Sequence, residues 1–118
     1  MIVNKKKILK LIEEDKRLDG RKLLDYRGPI TIETGGVKTA EGFAKVTIGD
    51  TVVLAGVKLG IEKPYSDRPN EGGIMVNAEL TPLSSSQYES GPPGMKAVEI
   101  ARVIDRGIRE SHAIDVKK

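Results

Sequence analysis

The chain has 118 residues, 20 Lys and Arg against 17 Asp and Glu, a formal net charge of +3 and no cysteine. Such a length fits one small domain that buries about two thirds of its unfolded surface, and the missing thiols exclude a disulfide framework, a thiol nucleophile and a thiolate zinc site. A reducing cytoplasm is the expected setting, and a charge this small names no partner by itself.

Asn4 is placed to cap a first helix, and Ile8, Leu11 and Ile12 follow at three- and four-residue spacing, so residues 5–16 read as a short amphipathic helix. Its apolar positions are split by lysines and followed at once by Glu13, Glu14 and Asp15, which is neither a signal peptide nor a membrane span. Arg17 to Gly28 is charged, interrupted by Gly20 and closed by Gly28-Pro29, an extended connector. Ile30 and Ile32 then alternate with Thr31 and Glu33 up to Gly35-Gly36, the pattern of a first strand.

Residues 42–48 repeat the alternation, Gly49-Asp50 supplies a two-residue turn, and Thr51 to Leu59 resumes as a β-forming run. These features predict a β-hairpin. Residues 61–73 form a loop around Pro64, Pro69, Gly72 and Gly73. Ile74, Val76, Ala78 and Leu80 then alternate with Met75, Asn77, Glu79 and Thr81, which predicts a fourth strand. Leu83 to Gly94, rich in Ser, Gly and Pro, reads as a surface loop. Lys96 to Ala113 is the clearest helix, with Ala97, Ile100, Ala101, Ile104 and Ile108 on one stripe. Strands in a run followed by a covering helix predict an α+β layer rather than a doubly wound sheet.

Lys and Arg outnumber Asp and Glu by 9 to 5 over residues 1–27 and by 6 to 4 over 96–118, whereas residues 62–95 carry 2 against 5. The ends are basic and the loop-rich middle is acidic. With only 3 Tyr, 1 Phe and no Trp, a base-stacking platform is hard to build, so any nucleic-acid contact should go to the backbone. His112 has no second histidine or cysteine nearby to share a metal, and a histidine near a helix C-terminus has a structural explanation. Gly35, Gly36, Gly42 and Gly49 fit no dinucleotide or phosphate-loop fingerprint, and Ser84, Ser85 and Ser86 lack a base partner.

On the last helix Arg102, Arg106 and Arg109 fall within roughly a 60° arc at about 100° per residue, opposite the apolar stripe, so that three guanidiniums are expected to point together into solvent. One explanation is a solvated helix laced by the four-residue pairs Asp105 with Arg109 and Arg106 with Glu110. The other is a comb for successive phosphates, because the arginine fork matches phosphate oxygens bidentately and stays charged. Spacing leaves both open.

Several segments together resemble the RNase PH superfamily. They are Arg17-Leu18-Asp19-Gly20-Arg21 with Tyr26-Arg27, Gly42-Phe43-Ala44-Lys45-Val46, Gly49-Asp50-Thr51-Val52-Val53-Leu54-Ala55, Gly73-Ile74-Met75-Val76-Asn77, and Glu99 through Ser111. Their order across residues 17–118 carries the resemblance. Lys63-Pro64-Tyr65, Asp67, Pro69-Asn70, Gly91-Pro92-Pro93 and the helix ending in Asp105-Arg106-Gly107-Ile108-Arg109-Glu110-Ser111 are similar to the non-catalytic ring subunits of the archaeal exosome. Catalytic members carry an arginine-rich loop before this helix, where this chain reads Glu89-Ser90-Gly91-Pro92-Pro93-Gly94-Met95. Gly94-Met95 departs from the acidic pair usual in the non-catalytic branch.

The resemblance implies an N-terminal helix over 1–16 and, over 17–118, the first part of an RNase PH-type domain, a strand-rich sheet with a covering helix that continues in a second half. It also implies an alternating hexameric ring with a catalytic RNase PH-like subunit, which degrades single-stranded RNA from the 3′ end. Inorganic phosphate is the attacking group and is used by that partner, RNA-binding cap proteins sit on the ring, and no membrane or DNA is involved. The residues matching the family's RNA contacts are Arg102 and Arg106; this chain would contribute no catalytic residue, metal or cofactor of its own. The alternative is the front half of a self-sufficient phosphorolytic enzyme.

Overall fold

The computed structural model describes residues 4–117, so residues 1–3 and 118 of the expected domain ranges lie outside the described residues. In chain order the elements are α1 (Lys5–Glu13), β1 (Ile30–Thr34), β2 (Gly42–Ile48), β3 (Thr51–Val57) and α2 (Met95–Ser111). They fall into two compact units, one ending at Ile61 and one beginning at Glu62.

In the first unit Asn4 caps α1 as expected, its side-chain oxygen accepting the Lys6 amide at 3.0 Å. The helix ends at Glu13 rather than Lys16. Asp15 adopts φ +54, the Lys16 amide donates back to the Leu11 carbonyl at 2.8 Å and the Asp15 amide to that of Ile12 at 3.1 Å. This is a Schellman termination with Asp in the place glycine usually takes. The spacing of Ile8, Leu11 and Ile12 reports a face and not the dihedral that stops a helix, and from Glu13 to Arg17 every residue is charged.

The sheet is antiparallel with order β1-β2-β3. Pairing of Ile48 with Thr51 closes the expected hairpin across Gly49-Asp50, and Ile30 to Thr34 pairs with Ile48 to Ala44 in register. Glu33 lies opposite Lys45, and their side chains make an ion pair of 3.3 Å. As the only strand with two neighbours, β2 is half-buried along its whole length, while β1 and β3 are exposed. Past the end of the ladder Glu41 accepts from the Lys58 ammonium and from the Leu59 amide, both at 2.9 Å, and Lys58 also donates to the Thr39 carbonyl at 2.8 Å.

In the second unit residues 74–80 form no ladder among the described residues, so the sheet has three strands where alternation predicted four. The alternation still sets the faces: Ile74, Val76, Ala78 and Leu80 are half-buried and Met75, Asn77 and Glu79 exposed. A periodic pattern fixes which side chains turn inward, whereas a strand also needs a neighbour for its amides and carbonyls. The helix α2 begins at Met95, one residue before the expected start, and ends at Ser111. His112 takes the left-handed conformation at φ 53 and donates its amide to the Arg109 carbonyl. That terminating position gives the single histidine a structural role, and no group of metal-binding side chains occurs among the described residues.

Burial is sparse. Ala97, at 2 % exposure, is the only buried residue among those described, and Val52, Val53, Leu54 and Val57 of β3 all stay more than half exposed. The hairpin therefore depends on its turn. Gly49 has φ +58, and a Cβ built there would lie 2.9 Å from the Arg27 carbonyl oxygen. Substituting Gly49→Ala should lower the stability of the chain by about 1–3 kcal/mol, through both left-handed strain and that backbone clash. Urea denaturation monitored by far-ultraviolet circular dichroism tests this; an unchanged midpoint would show that the turn tolerates a side chain.

Candidate nucleic-acid interface

Two arginine-rich segments carry the chemistry, and the structure treats them differently. The segment Arg17-Leu18-Asp19-Gly20-Arg21 folds into a closed turn in which Gly20 takes φ +85. The Gly20 amide donates to the Arg17 carbonyl at 3.0 Å, and the Arg17 amide to the Arg21 carbonyl at 2.7 Å. Arg17 donates from Nε to the Leu23 carbonyl at 2.8 Å and from Nη2 to the same oxygen. Arg21 donates to the Asp19 carboxylate from Nε at 2.8 Å and to the Asp25 carbonyl from Nη1 at 2.9 Å, while its Nη2 lies 2.6 Å from Asp19 Oδ2. Both guanidiniums are consumed in shaping the connector. The motif that leads the family resemblance is thus architectural.

The helix α2 brings the candidate RNA-binding residues together. Arg102 lines a cleft of about 240 Å³ with Val76, Asn77, Ala78, Pro93 and Ala101, and Asp105 lines the same cleft. Among the described residues Arg102 has no ion-pair partner. Arg106, one turn on, donates to Glu110 Oε1 at 2.9 Å, in a pair whose side chains are 80 % and 69 % exposed. Water already solvates so open a pair, and exchanging its carboxylate for a phosphate oxygen loses little.

Arg109 departs from the expected comb. Its Nε donates to Asp105 Oδ2 at 2.8 Å and its Nη2 to the Ile74 carbonyl at 2.6 Å, across 35 residues of sequence. The Asp105 hydrogen bond and charge hold the guanidinium's pKa above its ordinary value. The three guanidiniums therefore do not point into solvent together, since one is turned onto the extended segment. Both four-residue pairs expected of a solvated helix are present, and only Arg102 is left unpaired. Sequence reasoning missed the cleft wall, Val76, Asn77 and Pro93, because nothing local signals that residues 74–80 run beside α2.

A second cleft runs along the loop before α2, lined by residues that include Glu79, Gln87, Glu89, Gly91 and Lys96. Between Glu89 and Met95 the loop has no cation, and Lys96 is the first one after it. Gly94 serves as the N-cap of α2 without a side-chain hydrogen bond, so the helix start is left to its backbone amides.

With this geometry in place the chain can be set beside known proteins. The family model for the 3′ exoribonuclease family, domain 1, known as RNase PH, matches residues 27–118. The chain belongs to this family. The exosome complex component Rrp42 of Saccharolobus islandicus is 50% identical over 117 residues, which make up 99% of this chain and 42% of that protein. Rrp42 of Sulfurisphaera tokodaii matches with the same identity and coverage. Among solved structures, a chain of the Archaeoglobus fulgidus exosome with RNA bound to the active site superposes with a TM-score of 0.81 at 45% identity, over 95% of this chain and 44% of that one. A chain of an archaeal exosome core gives 0.71 at 39% identity, over 95% and 40%. The chain thus spans less than half the length of the relatives it matches, and its α+β fold is that of part of an RNase PH domain.

The Asp19–Arg21 pair makes the connector acid-sensitive. The hydrogen bond from Arg21 lowers the Asp19 pKa below its ordinary value of 3.8. Stability from this contact is present in full above pH 3.8 and is lost as pH falls through the depressed native value. Asp19→Asn should therefore melt at a lower temperature than the parent at pH 7, with the difference shrinking below pH 3.8. Thermal melts at both acidities measure this; a gap that stays constant with pH would mean that the carboxylate charge contributes nothing.

Proposed function

We propose that the chain is the leading part of a non-catalytic subunit of the archaeal exosome ring, and that it supports the catalytic RNase PH-like subunit and grips single-stranded RNA during phosphate-dependent 3′–5′ degradation. The observation that carries this reading is the 50% identity to Rrp42 over 99% of the chain. The cation-free loop from Glu89 to Met95 agrees with it, because a phosphorolytic site needs cationic groups around the attacking phosphate. The self-sufficient enzyme is the less favoured reading for the same two reasons. On the proposed reading the partner subunit uses inorganic phosphate, the alternating ring is hexameric, cap proteins deliver RNA, and the assembly works in the cytoplasm. No helix among the described residues is long and apolar enough to cross a membrane.

Arg102 and Arg106 are the proposed RNA contacts. They stand four residues apart on one helix, a rise of about 6 Å, and one is unpaired while the other is held only by an open surface pair. Two guanidiniums so placed take successive backbone phosphates without reading bases. The scarcity of aromatic side chains points the same way.

Two outcomes are expected. The chain alone should release no nucleoside diphosphate from single-stranded RNA in the presence of phosphate; robust turnover would overturn the non-catalytic assignment. In the complete subunit assembled with its catalytic partner, replacing Arg102 and Arg106 with alanine should weaken RNA binding equally for all base compositions. The logarithmic salt slope should flatten by about 0.7 per site, about 1.4 for the pair, and ring assembly should be unaffected. An unchanged slope in an intact ring would mean that both arginines only decorate a solvated helix.

A further inference from the structure

Arg102 and Asp105 line the same cleft, three residues apart on α2. A carboxylate at that spacing is within reach of the guanidinium, and left free it would compete with any phosphate for Arg102. It is not free: Asp105 Oδ2 accepts from Arg109 Nε at 2.8 Å, and Arg109 is itself anchored by its 2.6 Å hydrogen bond to the Ile74 carbonyl. The carboxylate is thereby held on the Arg109 side, and Arg102 has no ion-pair partner among the described residues.

We infer that Arg109 is a positioning residue: by occupying Asp105 and anchoring on the Ile74 carbonyl, it keeps Arg102 available to an RNA phosphate without touching RNA itself. The inference rests on the proposed RNA-binding role of α2 and divides its arginines by task. Arg102 and Arg106 bind, and Arg109 removes the intramolecular competitor. The Ile74 carbonyl gives the device its direction. A guanidinium tied through Nη2 to a backbone oxygen 35 residues away is restrained from swinging towards a ligand, yet it can hold a carboxylate in place with its Nε.

A double-mutant cycle in the complete subunit assembled with its catalytic partner tests this. Arg109→Ala should weaken binding of a single-stranded RNA oligomer by about fivefold, and the loss should fall below about twofold when the same substitution is made on an Asp105→Asn background. A purely structural contribution from Arg109 would not be rescued by deleting the carboxylate. An equal loss on both backgrounds would mean that Arg109 either meets phosphate directly or acts only through the fold, and no loss on either would mean that it has no part in binding; each overturns the inference. A readout independent of RNA is the Nε–H resonance of Arg102 in this chain. It should shift in Arg109→Ala as Asp105 captures the guanidinium, and return in Arg109→Ala/Asp105→Asn. If Arg102→Ala binds RNA like the parent, the reading of α2 as an RNA contact fails, while the resonance still decides whether Arg109 withholds Asp105; an unmoved resonance overturns that too.

Discussion

With Ala97 as the only buried residue among those described, the chain holds its loops with charge-assisted hydrogen bonds, and one device recurs. A cation is gripped on one side by a carboxylate and on the other by a backbone carbonyl. Arg21 is held by Asp19 and the Asp25 carbonyl, Lys58 by Glu41 and the Thr39 carbonyl, and Arg109 by Asp105 and the Ile74 carbonyl. Each closes a piece of chain that has no regular hydrogen-bonding ladder. Each also leaves an electrostatic trace: the Asp19 and Glu41 carboxyls titrate below their ordinary values and the Arg109 guanidinium above its own.

The same device sorts the cations. A guanidinium with its nitrogens committed to a carboxylate and a carbonyl has little left for a ligand, so Arg21 and Arg109 belong to the architecture, as does Arg17, which donates from two nitrogens to the Leu23 carbonyl. On α2 this leaves Arg102 and Arg106, and they are the two that the family resemblance assigns to RNA. Positive charge counted along the sequence therefore overstates what a polyanion would meet. The apolar surface fits an assembling subunit as well: β3 is exposed along its length, and Ile100 and Ile104 on α2 remain 43% and 44% exposed. Surface of that kind is usually covered by another packed element or another chain.

Most of the fold was legible because most of it is local. Asn4 as a cap, the Gly49-Asp50 turn with strands on either side, and the stripe running from Ala97 to Ile108 each state a structure within a few residues. The end of α1 was not legible, because Asp15 is a β-carbon-bearing residue in a conformation that sequence rules reserve for glycine or asparagine. Nor was the state of residues 74–80. Their alternation fixed the buried face correctly, but the carbonyl of Ile74 is taken by a side chain from α2 instead of a neighbouring strand. The site was half legible for the same reason. Helical periodicity put three arginines on one arc, and only the long-range contact of Arg109 could divide them.

If the chain binds RNA without cutting it, as proposed, it has to separate two demands that coincide in an active subunit, since both the RNA backbone and an attacking phosphate are anions and both call for cations. Here the cations stand on α2, where successive turns match the repeat of a backbone. The preceding loop, where a free phosphate would have to be gathered, carries Glu89 and none of its own. On the proposed reading, grip without chemistry follows from where the positive charge lies along some twenty residues, with no need for an altered fold.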